Sequence, residues 1–84
     1  MPRYRIHMIN SEFESFDDCD YESVDAALGA QIRAAAAVAA EAVIKGEANA
    51  AIEIQVEEGG RVVGRRVLSI SVADLMSDVD GQST

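Results

Sequence analysis

The chain has 84 residues, enough for one small domain, because two independent cores would need a longer polypeptide. Its 15 acidic residues against 7 basic ones give a formal charge of -8, so a phosphate backbone is repelled and nucleic-acid binding by bulk charge is excluded. Hydrophobic residues make up 49% of the chain, which argues against wholesale disorder.

Residues 3–10 alternate with period two, with Tyr4, Ile6 and Met8 on one face and Arg3, Arg5, His7 and Ile9 on the other, the pattern of a strand. Asn10, Ser11 and Glu12 supply turn chemistry, and residues 13–17 return as a second strand carrying Phe13 and Phe16. Those phenylalanines are three apart and cannot share one side of a regular strand, so a bulge or an early end is expected there.

Ser23 is placed as an N-cap, and Asp25 puts negative charge in the first turn, where the helix dipole favours it. At 100° per residue Val24, Leu28, Ile32, Ala35, Ala39, Ala42 and Val43 form a stripe about 100° wide, as a core-facing helix requires. Gly46 is positioned to end this helix, which is expected over residues 24–45. After a connector at 47–50, Ile52, Ile54 and Val56 alternate with Glu53, Gln55 and Glu57 as a half-buried third strand. The Glu58-Gly59-Gly60-Arg61 segment is a hairpin turn, since paired glycines accept positive φ. In the fourth strand Leu68, Ile70 and Val72 point one way and Val67, Ser69 and Ser71 the other; Gly64 beside Arg65 and Arg66 breaks the alternation and implies a bulge or a twist.

The expected fold is therefore α+β, strand-strand-helix-strand-strand, with one long Ala-rich helix packed on a four-stranded antiparallel sheet. Residues 1–76 form the single domain and residues 77–84 a flexible C-terminal tail. The one cysteine, Cys19, has no partner for an internal disulfide and cannot by itself make a thiolate zinc site, which suits a reducing, cytoplasmic location. Residues 1–10 contain no apolar run with a cleavage site. The uncharged run between Arg33 and Glu41 falls far short of the ~20 residues that cross a bilayer, so no membrane association is expected.

Chemistry is sparse. Asp18, Asp20 and Glu22 mimic the start of a calcium loop, but Ser23 stands where that loop needs Gly and Gly29 where it needs Glu, so a solvated acidic segment is the better account. His7, the only histidine, is expected on the outer sheet face, paired across the first hairpin; it would serve as a base or ligand only with a carboxylate of the second strand beside it. Asp17, Asp18 and Asp20 should raise the pKa of Cys19 and disfavour its thiolate. With no phosphate loop, no catalytic triad spacing and no helical metal pair, neither catalysis nor a cofactor is expected. Ala26, Ala30, Ala37, Ala40 and Ile44 gather on the side of the helix away from the core stripe, a surface suited to another molecule, and the sheet edges, with Arg65 and Arg66 to discourage or steer pairing, offer a second route.

Met1-Pro2-Arg3-Tyr4, His7, the acidic second strand, the helix opening Ser23-Val24-Asp25-Ala26-Ala27 and the Gly60-Arg61-Val62-Val63 hairpin together resemble a family of small uncharacterised bacterial proteins that open Met-Pro-Arg-Tyr-Phe-Phe-His. This chain differs in having Arg5-Ile6 for the paired aromatics, no glycine in the acidic strand, and a longer fourth strand around Arg65 and Arg66. The resemblance implies a domain of unknown function and carries no activity. A weaker similarity is to partial ribonuclease-H-like antitoxins, whose acidic charge would neutralise a basic partner. The expected function is a non-enzymatic protein-protein interaction domain, binding a protein partner or itself as a homodimer. The alternatives are such an antitoxin module, or a binder of a divalent metal or small ligand at the acidic second strand.

Overall fold

The structure is a computed structural model describing residues 1–75; the tail expected over residues 77–84 lies outside them. Two hairpins flank one helix in the order β1 Arg3–Ile9, β2 Glu14–Asp20, α1 Val24–Ile44, β3 Asn49–Glu58 and β4 Arg61–Ser71. The strands form one antiparallel sheet ordered β2-β1-β3-β4. Strand-strand-helix-strand-strand with one helix on a four-stranded antiparallel sheet is thus the architecture of the described residues.

Local chemistry explains most element ends. Asn10 Oδ1 accepts from the backbone N–H groups of both Glu12 and Phe13 at 2.7 Å, an Asx turn that closes the first hairpin. Phe13 falls in this turn and β2 pairs with β1 without a register shift, so of the bulge or early end expected between Phe13 and Phe16 it is the strand's end, at Glu14, that separates them. β2 also runs to Asp20 rather than ending at Asp17. Its acidic end stays in the sheet because Arg3 and Arg5 face Asp20 and Asp18 across the ladder, at 3.3 and 3.9 Å. Ser23 caps α1 by accepting from Ala26 N–H at 3.1 Å. Lys45 is the C-cap, one residue past the helix end, and Gly46 at φ 116° reverses the chain. β3 begins at Asn49, inside the expected connector, because β4 is long enough to pair that far, Asn49 with Ser71. β4 ends at Ser71; the backbone N–H of Val72 makes one further bond to Ala48.

Gly59 and Gly60 turn the second hairpin at φ 61° and 83°, the positive pair a two-residue hairpin demands. The bulge expected in β4 is present: Val56 pairs with Gly64 but Glu57 with Val62, leaving Val63 extra.

The core lies between α1 and the inner face of the sheet. Ile52, Ile54 and Val56 of β3 are its largest fully buried side chains, with Tyr4 and Ile6 of β1 beside them and Ala27, Leu28, Ala35 and Ala39 of α1 above. Small helical side chains let the backbone approach the sheet closely. The closest approach is at Gly64, where a Cβ would lie 3.0 Å from Val24 Cγ1 and 3.1 Å from Leu28 Cδ1. The buried arc also shifts round the helix. Ala27 is buried, whereas Val38, on the same side three turns later, is 42% exposed. A straight helix laid on a twisted sheet meets it with different side chains along its length. By length and composition α1 would pass for a membrane span, but its buried side chains belong to the core shared with the sheet.

Gly64→Val should cost about 1–3 kcal/mol through overpacking against Val24 and Leu28, and Ile54→Ala about 2–5 kcal/mol through a cavity. Urea unfolding followed by circular dichroism measures both.

Candidate interaction surface

Residues paired across an antiparallel ladder share a face, so the strand register defines the side of the sheet opposite α1. β2 places Glu14, Phe16, Asp18 and Asp20 there, and β1 places Arg3, Arg5, His7 and Ile9. Glu53, Gln55 and Glu57 follow from β3, and Val62, Arg65 and Val67 from β4. Among the described residues no helix packs on this face, since α1 contacts β3 and β4 from the core side.

Its centre is the row Phe16, His7, Gln55, Arg65 running across all four strands. The His7 imidazole stacks on Phe16 with centroids 4.1 Å apart and planes 13° from parallel, and the Arg5 guanidinium lies 5.2 Å from the same ring centre. His7 Nε2 donates to Glu14 Oε2 at 2.6 Å, because an ionised carboxylate only accepts. The carboxylate of the second strand that His7 would need is therefore present. Packed beneath Phe16, the His7 side chain is only 13% exposed.

Further along the face, Glu53 Oε2 accepts from Gln55 Nε2 at 2.9 Å and from Arg65 Nη2 and Nε at 2.6 and 3.0 Å. These bonds, Gln55 first and Arg65 next, hold the Glu53 carboxyl below its ordinary value of 4.5. The ion pairs of this face are mostly solvent-exposed, so each adds at most about 1 kcal/mol; their arrangement matters more than their strength. Large apolar surface lies among them, with Phe16 54%, Val62 48% and Val67 66% exposed.

The surfaces singled out on the helix are less continuous. Ala26, Ala37 and Ile44 are exposed, Ile44 at 76%, but Ala30 and Ala40 are half-buried, because the contact with the sheet shifts round the helix. The free back expected for α1 is thus interrupted. Ala37 borders a groove of about 790 Å³ between the C-terminal half of α1 and the first hairpin turn, lined also by Phe13, Val38 and Ile52. Arg65 and Arg66 part company: Arg65 joins Glu53 on the open face, while Arg66, paired with Ile54, belongs to the helix side and donates to the carbonyl of Arg65.

Cys19 lies on the inner side of β2, opposite Tyr4. Burial first, and the carboxylate of Asp17 next, push its thiol up. No three of His, Cys, Asp and Glu converge as an ion site among the described residues. The open face could not be read from the sequence because it depends on which strands become neighbours. The signal available was the alternation that set His7 apart from Tyr4 and Ile6.

Searches of family models, curated proteins and solved structures find no match to this chain.

Two outcomes follow from the titrating groups. Glu53→Gln should be less stable than wild type at pH 7, with the gap closing as pH falls below about 4.5, because a depressed carboxyl contributes above its unfolded pKa and loses that contribution through its folded one. Urea midpoints at several pH values read this. Alkylation of Cys19 by iodoacetamide at pH 7.5 should be slower than that of a free cysteine, and Asp17→Asn should accelerate it.

Proposed function

We propose that the protein is a small interaction domain without catalytic activity, which self-associates through the uncovered face of its sheet. The observation that carries this reading is the large apolar side chains left exposed there, Phe16 on β2 and Val62 and Val67 on β4, on a sheet whose other face already holds the core. A sheet face that only meets water normally alternates to polar side chains, and these three positions depart from that rule. The strongly acidic composition favours a protein surface over nucleic acid. His7 and Glu14 resemble the beginning of a catalytic pair, yet His7 is stacked under Phe16, Glu14 stands exposed beside it, and neither borders the groove. A nucleophile and a substrate-sized recess would both be needed beside them.

Sedimentation equilibrium from 1 to about 200 μM tests the reading. The wild type should be dimeric, with a dissociation constant on the order of micromolar for a modest interface. Phe16→Ser should weaken it at least tenfold, and Ile44→Glu should leave it unchanged. A wild type monomeric throughout would overturn self-association, and dimers disrupted by Ile44→Glu alone would move the contact to the helix.

A further inference from the structure

The charges of the open face are sorted by strand, and the sorting dictates how two copies fit. On that face β2 carries Glu14, Asp18 and Asp20, and β1 carries Arg3 and Arg5. β3 carries Glu53 and Glu57, and β4 carries Arg65. Read across the sheet order β2-β1-β3-β4, the strands alternate negative, positive, negative, positive.

Sheets stacked face to face keep their strand directions within about 30° of each other. A closed pair of identical sheets is related by a twofold axis lying between them. Only two such axes keep the strands aligned. An axis perpendicular to the strands lays each strand over its own copy with its direction reversed, so that about the central row Glu14 meets Asp18 on β2 and Glu53 meets Glu57 on β3. An axis parallel to the strands reverses the lateral order, laying β2 over β4 of the second copy and β1 over β3, so that Arg5 meets Glu57, Asp18 and Glu14 meet Val62 and Val67, and no acid meets an acid.

Resting on the reading above, we infer that the occupant of the open face is a second copy of this chain, related by a twofold axis parallel to the strands and lying between β1 and β3. Arg5 and Glu57 are ladder partners on the two central strands, so in this arrangement Arg5 of each copy faces Glu57 of the other. Close to the axis, that contact is least displaced by the twist between the sheets. One row along, His7 faces Gln55 of the second copy, and Phe16 lies opposite its Arg65. The in-plane pairs persist, since a carboxylate has lone pairs for a second guanidinium. Four strands at ~4.8 Å spacing, about 25 Å long, give each copy a footprint of roughly 500 Å². The two together reach the ~1,000 Å² that a specific contact needs.

The test uses the full chain and two charge reversals. Arg5→Glu alone and Glu57→Arg alone should each raise the dimer dissociation constant at least tenfold, because each puts two like-charged contacts into its own dimer. Mixing the two variants in equal amounts should return it to within about threefold of wild type, since every reversed side chain then faces its opposite on the other chain. Within either chain the Arg5 and Glu57 positions carry like charges before and after mixing, so rescue reports contact between chains. If circular dichroism shows that a reversal unfolds the chain, Arg5→Gln and Glu57→Gln replace the pair, each weakening the dimer about threefold. A wild-type dimer that tolerates these changes, or reversals that mixing fails to rescue, overturns this arrangement while leaving self-association standing. A wild type monomeric to 200 μM overturns both.

Discussion

Ile52, Ile54 and Val56 stand in a row on the inner face of β3, each at most 1% exposed, and the rest of the molecule is arranged around their burial. β3 is the strand that joins the hairpins, pairing with β1 on one side and β4 on the other. Its inner face lies under α1, so the same residues that seal the core also hold the sheet together. Burying an aliphatic side chain of this size contributes about 1.5–3 kcal/mol, more than any of the exposed ion pairs. The alanines of α1 complete the arrangement by keeping the helix low, and Gly64 removes the one side chain that would lift its N-terminal half.

A two-layer fold of this kind has a physical remainder. One helix covers one face of a sheet, and the other face must be made either polar or useful. Here it is mixed: carboxylates and guanidinium groups occupy many outward positions, but Phe16, Val62 and Val67 interrupt them. The edges are managed differently. β2 carries acidic residues along its length, and β4 carries a bulge at Val63 with Arg65 and Arg66 beyond it. Both are features that discourage pairing with a further strand. Charged edges and a partly apolar face suit the proposed contact on the flat of the sheet.

The same residues serve the sheet and the proposed contact. Arg5 approaches Asp18 within the chain and lies over Phe16, while Glu53 gathers donors from Gln55 and Arg65. Pairs of this sort fix side chains that would otherwise lose rotamer freedom on association. A face whose charged groups are already oriented meets a partner at lower entropic cost than one of free lysines and glutamates.

Much of the fold was legible in local pattern. The period-two runs around Ile6 and Ile54, the Ser23 cap, and the Gly59-Gly60 turn each depend on residues a few positions apart, and helix and strand periodicities follow from backbone geometry alone. Where local reading went astray, a distant partner was responsible. β2 reached Asp20 because Arg3 and Arg5 faced its acids, and β3 began at Asn49 because β4 extended to Ser71. Ala30 and Ala40 lost their freedom to the twist of the sheet. The sequence by itself determined the elements, their order and the α+β class, since these are written in short-range periodicity and turn chemistry. Only the tertiary structure decided that β1 lies beside β3, and hence that His7, Phe16, Gln55 and Arg65 form one row on an open face, because that neighbourhood joins residues remote in sequence and no local spacing encodes it.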